Sequence, residues 1–263
     1  MIDKMVGKTE VALYGLAYSI GMLVQLFISG MNSALTPWMY SKIKKGDIRS
    51  MRKVLQLLSV VVVGIAVALM LISPELVLIF GSPKYREAVY VIPPVAASVF
   101  FIFIYNILSM PQFYYEKTQF LMAASMAAAG ANVVLNFIFI RLFGYIAAGY
   151  TTLACYMLYS VGHYIVSKRI LVNEGIQENL MNPGFLLACS VFLIGASIIC
   201  NLIFPYRILR YAILLASAGL VFWKKELLLK TMADIPEKIK KVGEDLKRMF
   251  RDFPVFVSFF LDS

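Results

Sequence analysis

Six carboxamide side chains carry the chemistry this sequence offers: Gln25, Asn32, Asn106, Gln112, Asn132 and Asn136. All lie in apolar surroundings, and an amide both donates and accepts hydrogen bonds without the cost of burying a charge. That suits a polyhydroxylated ligand such as a sugar; the competing use is hydrogen bonding between neighbouring helices, worth roughly 0.6–2 kcal/mol each. Asn132 and Asn136 are four apart, on one face of a helix. Gln25, Ser29 and Asn32 share another face, as do Asn106, Ser109 and, one residue off the stripe, Gln112. Arg141 could meet an anionic group at a helix end, or simply extend its guanidinium to the interface. Glu75, beside Pro74, reads as a cation or proton site or as an interfacial acid capping a loop. The single histidine, His163, reads as a headgroup-level residue or a proton-coupling one. There is no catalytic constellation, so an enzyme is not expected.

The elements positioning these groups follow from composition. The 263 residues are 60% hydrophobic and 15% charged, against roughly half apolar and a quarter charged in soluble domains. The expectation is an all-α, polytopic transmembrane bundle. Charge-poor runs at 11–41, 54–74, 88–115, 118–140, 144–167, 184–204 and 208–223 give about seven spans. The last has 16 residues, roughly 24 Å as a helix, and relies on Arg207, Arg210, Lys224 and Lys225 to reach the interfaces. Pro93 and Pro94 suit a first helical turn or a kink. Ala124, Ala127, Ala128, Gly130 and Ala131 keep the fourth span thin, which predicts a hairpin packed closely on other helices.

The net charge of +10 raises the question of nucleic acid, but the basic residues sit where loops must stay in the cytoplasm. With the loop 42–53 inside, 18 of the 25 Lys and Arg residues are cytoplasmic and the C-terminus is inside. The partners expected are therefore membrane lipids, not nucleic acid. Cys155, Cys189 and Cys200 lie in apolar runs with no Cys-x-x-Cys pair or histidine cluster, so no metal, disulfide or cofactor is expected. The tail 224–263 spaces Ile235, Ile239, Val242, Leu246 and Met249 as an amphipathic cytoplasmic helix flanked by lysines. It either docks on its own bundle or lies on anionic lipid.

Three stretches resemble one family. Tyr115 and Lys117, Asn132 and Asn136, Phe143-Gly144, Ala147-Ala148-Gly149 and Thr152 form the first. Asp3-Lys4, Gly7, Tyr14, Asn32 and Pro37-Trp38 form the second, and Gly81, Tyr85, Ala88, Ile92 and Pro93 the third. Together they resemble the C-terminal lobe of O-antigen (Wzx-like) polysaccharide flippases, in the multidrug/oligosaccharidyl-lipid/polysaccharide exporter superfamily. The resemblance implies a lobe at 1–170, two additional spans at 171–223 and the basic tail at 224–263. It also implies a preceding lobe, so the spans would be helices eight to fourteen of a whole protein. With no signal-peptide pattern in Met1 to Glu10, the expectation is a truncated frame or one piece of a split protein, needing the missing lobe or a partner chain. The substrate implied is an undecaprenyl-pyrophosphate-linked repeat unit, moved across the inner membrane by two rocking lobes. No span carries a charge at its middle, so a cation for the pyrophosphate must come from the absent lobe or from Arg141. A multidrug-type ion-driven exporter and a non-transporting scaffold or fragment are the alternatives.

Overall fold

The computed structural model describes residues 2–223. Among them the chain is helical throughout: α1 (Ile2–Met5), α2 (Lys8–Gly21), α3 (Leu23–Lys44), α4 (Ile48–Phe80), a 3-10 segment (Pro83–Tyr90), α5 (Ile92–Tyr114), α6 (Gln119–Phe143), α7 (Ala147–Asn173), α8 (Pro183–Ile203) and α9 (Arg207–Trp223). The expected amphipathic helix at 224–263 lies outside the described residues. Among the described residues five segments are long and apolar enough to cross a membrane: α2 with α3, α4, α5, α6 and α8. The other two expected spans do not stand alone by that measure. α7 has 27 residues but carries a run of tyrosines, serines, threonines and His163, while α9 is only 17 residues long.

α5 is the axis of the bundle. Residues from Ile92 to Ile104 are buried without interruption, and α2, α3, α4, α7 and α8 pack around it. A helix apolar on every side is stable only where it is surrounded. Two glycines let backbones close on it. A Cβ on Gly21 would stand 2.6 Å from Val95 Cγ1, and one on Gly149 would stand 3.0 Å from Pro94 Cγ. The first span is consequently not straight: it breaks at Met22, between α2 and α3, where Gly21 presses on α5.

The second span was expected to end at Pro74, yet α4 continues to Phe80. Proline cannot donate to the carbonyl four residues back; that acceptor, Met70 O, is taken by Ser73 Oγ at 2.8 Å. One residue further on, Leu71 O accepts from Arg210 of α9 at 2.7 Å. The same guanidinium grips Glu75 with two bonds of 2.8 and 2.9 Å, and Tyr211 adds a third at 2.9 Å. Glu75 is thus neither a free cation site nor a loop cap, and Arg210, 3% exposed, does not reach for the interface as expected. A carboxylate and a guanidinium in an apolar bundle are tolerated when they satisfy each other, and here they fasten α9 to α4.

The connections sort into two ends. At one, Arg49 and Arg52 at the start of α4 pair with Glu178, Arg52 also donates to Asn179 O, and Lys117 before α6 pairs with Glu174 at 2.8 Å. At the other, Tyr145 donates to Glu87 O and Asn201 to Tyr90 O. The 42–53, 115–118 and 174–182 connections therefore share the basic end, as an alternating bundle requires. α6 departs from expectation. Its small residues are not clamped on both sides: only Ile140 of α6 is buried, and the helix rests almost wholly on α7.

Candidate functional site

The α6–α7 pair leaves a cleft of about 530 Å³ against α2 and α5. Four helices line it: α2 with Tyr14 and Tyr18; α5 with Tyr105; α6 with Ser125, Ala128, Ala129, Asn132 and Asn136; α7 with Thr152, Cys155, Tyr156 and Tyr159. Helical spacing explains the convergence. Tyr14 and Tyr18 are four apart and stack at 5.8 Å, and Tyr156, Tyr159 and His163 run down one side of α7 at intervals of three and four. Tyr105 of α5 meets both α7 tyrosines. It lies parallel to Tyr156 with ring centres 6.3 Å apart, and 4.7 Å from Tyr159. Ser160 Oγ, donating to Phe101 O at 2.9 Å, ties α7 to α5 beside these rings.

On the opposing wall the two asparagines form a ladder. Asn136 Nδ2 donates to Asn132 Oδ1 at 2.8 Å, and Thr151 Oγ1 of α7 donates to Asn136 Oδ1. Tyr159 and Ser125 share a hydroxyl–hydroxyl bond of 2.8 Å across the α6–α7 seam. No charged residue is among the described residues lining the cleft.

Towards the basic end the cleft is closed by a fully buried His163. Its ring meets Tyr159 edge-on at 4.4 Å, Phe120 at 5.4 Å and Tyr105 at 5.8 Å. Gln112, also fully buried, donates from Nε2 to His163 Nδ1 at 2.8 Å and to Leu108 O at 3.3 Å. An accepting Nδ1 leaves the ring proton on Nε2, which has no partner. His163 is therefore an internal residue, covered by Phe120 of α6.

Of the seven residues expected from sequence, the structure brings Asn132 and Asn136 into the cleft. Gln112 stands behind its floor. Asn106 follows Tyr105 on α5 but does not line the cleft, and Gln25 and Asn32 lie on α3, away from it. Arg141 is exposed at the far end of α6, its guanidinium over the Phe137 ring at 3.9 Å. Sequence reasoning looked for amides and passed over Tyr18, Tyr156 and Tyr159; the repeated four- and three-residue spacing of aromatic hydroxyls was the available signal.

A family model described as MatE matches residues 1–138, slightly over half of the chain. The match takes in every cleft residue of α2, α5 and α6 and stops short of α7. No curated protein and no solved structure matches the chain.

Proposed function

Because the chain belongs to the MatE family, we propose that it is a lobe of a membrane exporter that carries a lipid-linked oligosaccharide from the cytoplasmic to the outer leaflet of the inner membrane. The observation that carries this reading is the wall chemistry of the α6–α7 cleft: five tyrosines and two asparagines, without a charge among the described lining residues. Sugars expose C–H faces that pack on aromatic rings and hydroxyls that pair with amides and phenols, all available here at no cost in buried charge. Volume agrees in scale, since about 530 Å³ is that of a small-ligand site and holds a few sugar rings. The basic end, with Lys42, Lys44, Lys45, Arg49, Arg52 and Lys53, is cytoplasmic in this proposal, and so is the C-terminus. Transport requires a second lobe, supplied by the same chain's longer form or by a partner, so that rocking of the two exposes the cleft to either side. The lipid's pyrophosphate then meets its cation on that second lobe or at Arg141.

A multidrug-type exporter is the second reading, favoured by the same tyrosines, because aromatic faces also attract organic cations. The two separate in cells. With protein level unchanged, Asn132→Leu and Tyr156→Ala are each expected to cut surface-glycan export by about tenfold, the equivalent of ~1.4 kcal/mol of lost binding. Unchanged glycan export in both, with a lost export of ethidium, would move the assignment to the multidrug reading.

A further inference from the structure

The hydrogen-bonding groups on the amide wall are not balanced. Asn132 Oδ1 is occupied by Asn136 Nδ2 at 2.8 Å, and Asn136 Oδ1 is occupied by Thr151 Oγ1. Each carbonyl oxygen thus has one of its two acceptor positions filled inside the protein. What remains open on that wall is chiefly N–H, the second hydrogen of Asn136 and the amide of Asn132, which also reaches the Cys155 thiol, beside one acceptor position on each oxygen. Thr152 spends its hydroxyl hydrogen on Ala148 O at 2.8 Å. The phenol groups of Tyr18, Tyr105 and Tyr156 form no hydrogen bond within the described residues, and a phenol is a better donor than acceptor, because its oxygen lone pair is drawn into the ring. Neither Asp nor Glu lines the cleft among those residues. The wall therefore offers a ligand mainly donors, the N–H groups of the two asparagines facing the phenols across the cleft.

Resting on the glycan reading above, we infer that the cleft selects sugars bearing an acceptor-only oxygen, the carbonyl of an N-acetyl group or the carboxylate of a uronic acid, over plain hexoses. A hydroxyl can give or take a hydrogen bond, so it gains little from a wall that mainly gives. An amide or carboxylate oxygen gains on every contact, and a carboxylate gains most because bonds to a charged acceptor are about twice as strong. The same polarity works against a cation, whose approach the N–H groups oppose, and so separates this cleft from a site for cationic drugs. Thr151 is the positioning residue, since its bond turns the Asn136 oxygen away from the ligand and sets the direction of the whole ladder.

The test is saturation-transfer NMR on the purified full chain in detergent, with the methyl glycosides of glucose, N-acetylglucosamine and glucuronate as probes. Inorganic pyrophosphate serves as a competitor and tetraphenylphosphonium as the cation. N-acetylglucosamine and glucuronate are expected to bind about tenfold or more tightly than glucose. Asn132→Asp keeps the oxygen that accepts from Asn136 but removes the open N–H groups and adds a negative charge. It is expected to weaken glucuronate by about a further tenfold relative to glucose. The wild-type ranking stands as a test even if that variant does not fold. Equal binding of the three glycosides overturns the inference and leaves the glycan reading in place. Displacement of N-acetylglucosamine by pyrophosphate also overturns it, because the amides would then serve the lipid linker. Binding of tetraphenylphosphonium without any glycoside removes the inference and the glycan reading together.

Discussion

The α6–α7 pair has two faces of different chemistry. One face looks onto α2 and α5 and carries the asparagine ladder, Ser125, Tyr156 and Tyr159. The other is a groove of about 510 Å³ lined by Leu135, Phe139, Phe143, Ile146, Ala147 and Ala154, with only Tyr150 and Thr151 to relieve its apolar character. The two volumes are nearly the same, so shape does not distinguish them. Polar groups do, and in a membrane that is decisive: an apolar groove is content against lipid chains, whereas unpaired amides and phenols need water, protein or a polar ligand. Thr151 belongs to the apolar groove by position but points its hydroxyl through the seam to Asn136. The cleft's polarity is thus held in place from the greasy side.

The largest contrast comes from placing the same charge on each face of α6. Leu135→Arg puts a guanidinium in the apolar groove, where burial in hydrocarbon costs about 2.5–3.5 kcal/mol on insertion scales, and it is expected to reduce the amount of folded protein in the membrane. Ala129→Arg puts it at an exposed position of the polar cleft, where water hydrates it even though the asparagine N–H groups repel it. That variant is expected to accumulate normally and to lose transport. Quantifying membrane-inserted protein beside export decides the matter: equal loss of protein for both variants would mean that the faces do not differ in the way described.

A smaller and sharper effect is expected from the residue joining the faces. Thr151→Val keeps the shape and deletes the hydroxyl, leaving Asn136 Oδ1 without its partner. The bond is worth about 0.5–1.5 kcal/mol, so export is expected to fall roughly three- to tenfold with protein level preserved, while Thr151→Ser restores it. A Thr151→Val protein with full export would show that the ladder's orientation is incidental to the cleft.

These contrasts were only partly legible in the sequence. Hydropathy located the five segments that are long and apolar enough to cross a membrane among the described residues, because burial in lipid demands apolar runs of set length, but it also counted α7 and α9 as spans; of the two readings of Pro93 and Pro94, the first helical turn is the one α5 shows. Pro74 misled, since nothing local reveals that Ser73 and Arg210 would satisfy the carbonyls around it. The Glu75–Arg210 pair joins residues 135 positions apart, a separation no periodicity reports. Asn132 and Asn136 were found because they differ in kind from their neighbours. The tyrosines were missed because an aromatic ring counts as apolar in a span, and only packing shows that Tyr105, Tyr156 and Tyr159 gather around one space. Gln112 was placed on a polar stripe, but the stripe turns inward, towards His163.

The smallest effect is expected far from both faces, at the turn before α4. Asp47 caps that helix, accepting from Ser50 N at 3.2 Å, and its carboxylate also pairs with Lys42. The Lys42 ammonium holds the Asp47 carboxyl below its ordinary value. A carboxyl depressed in the folded state contributes stability above its unfolded value, near 3.9, and that contribution fades as pH falls through the lower, native one. Acidification from pH 7 to about 5 should therefore leave the cap intact, and only stronger acid should release it. Asp47→Ala is expected to speed hydrogen exchange at Ser50 and its neighbours at neutral pH, yet to hold export within about twofold of the unaltered protein. Should export fall as far as in Thr151→Val, the basic end would be coupled to the cleft, and the two faces of α6–α7 could no longer be treated as the seat of the difference.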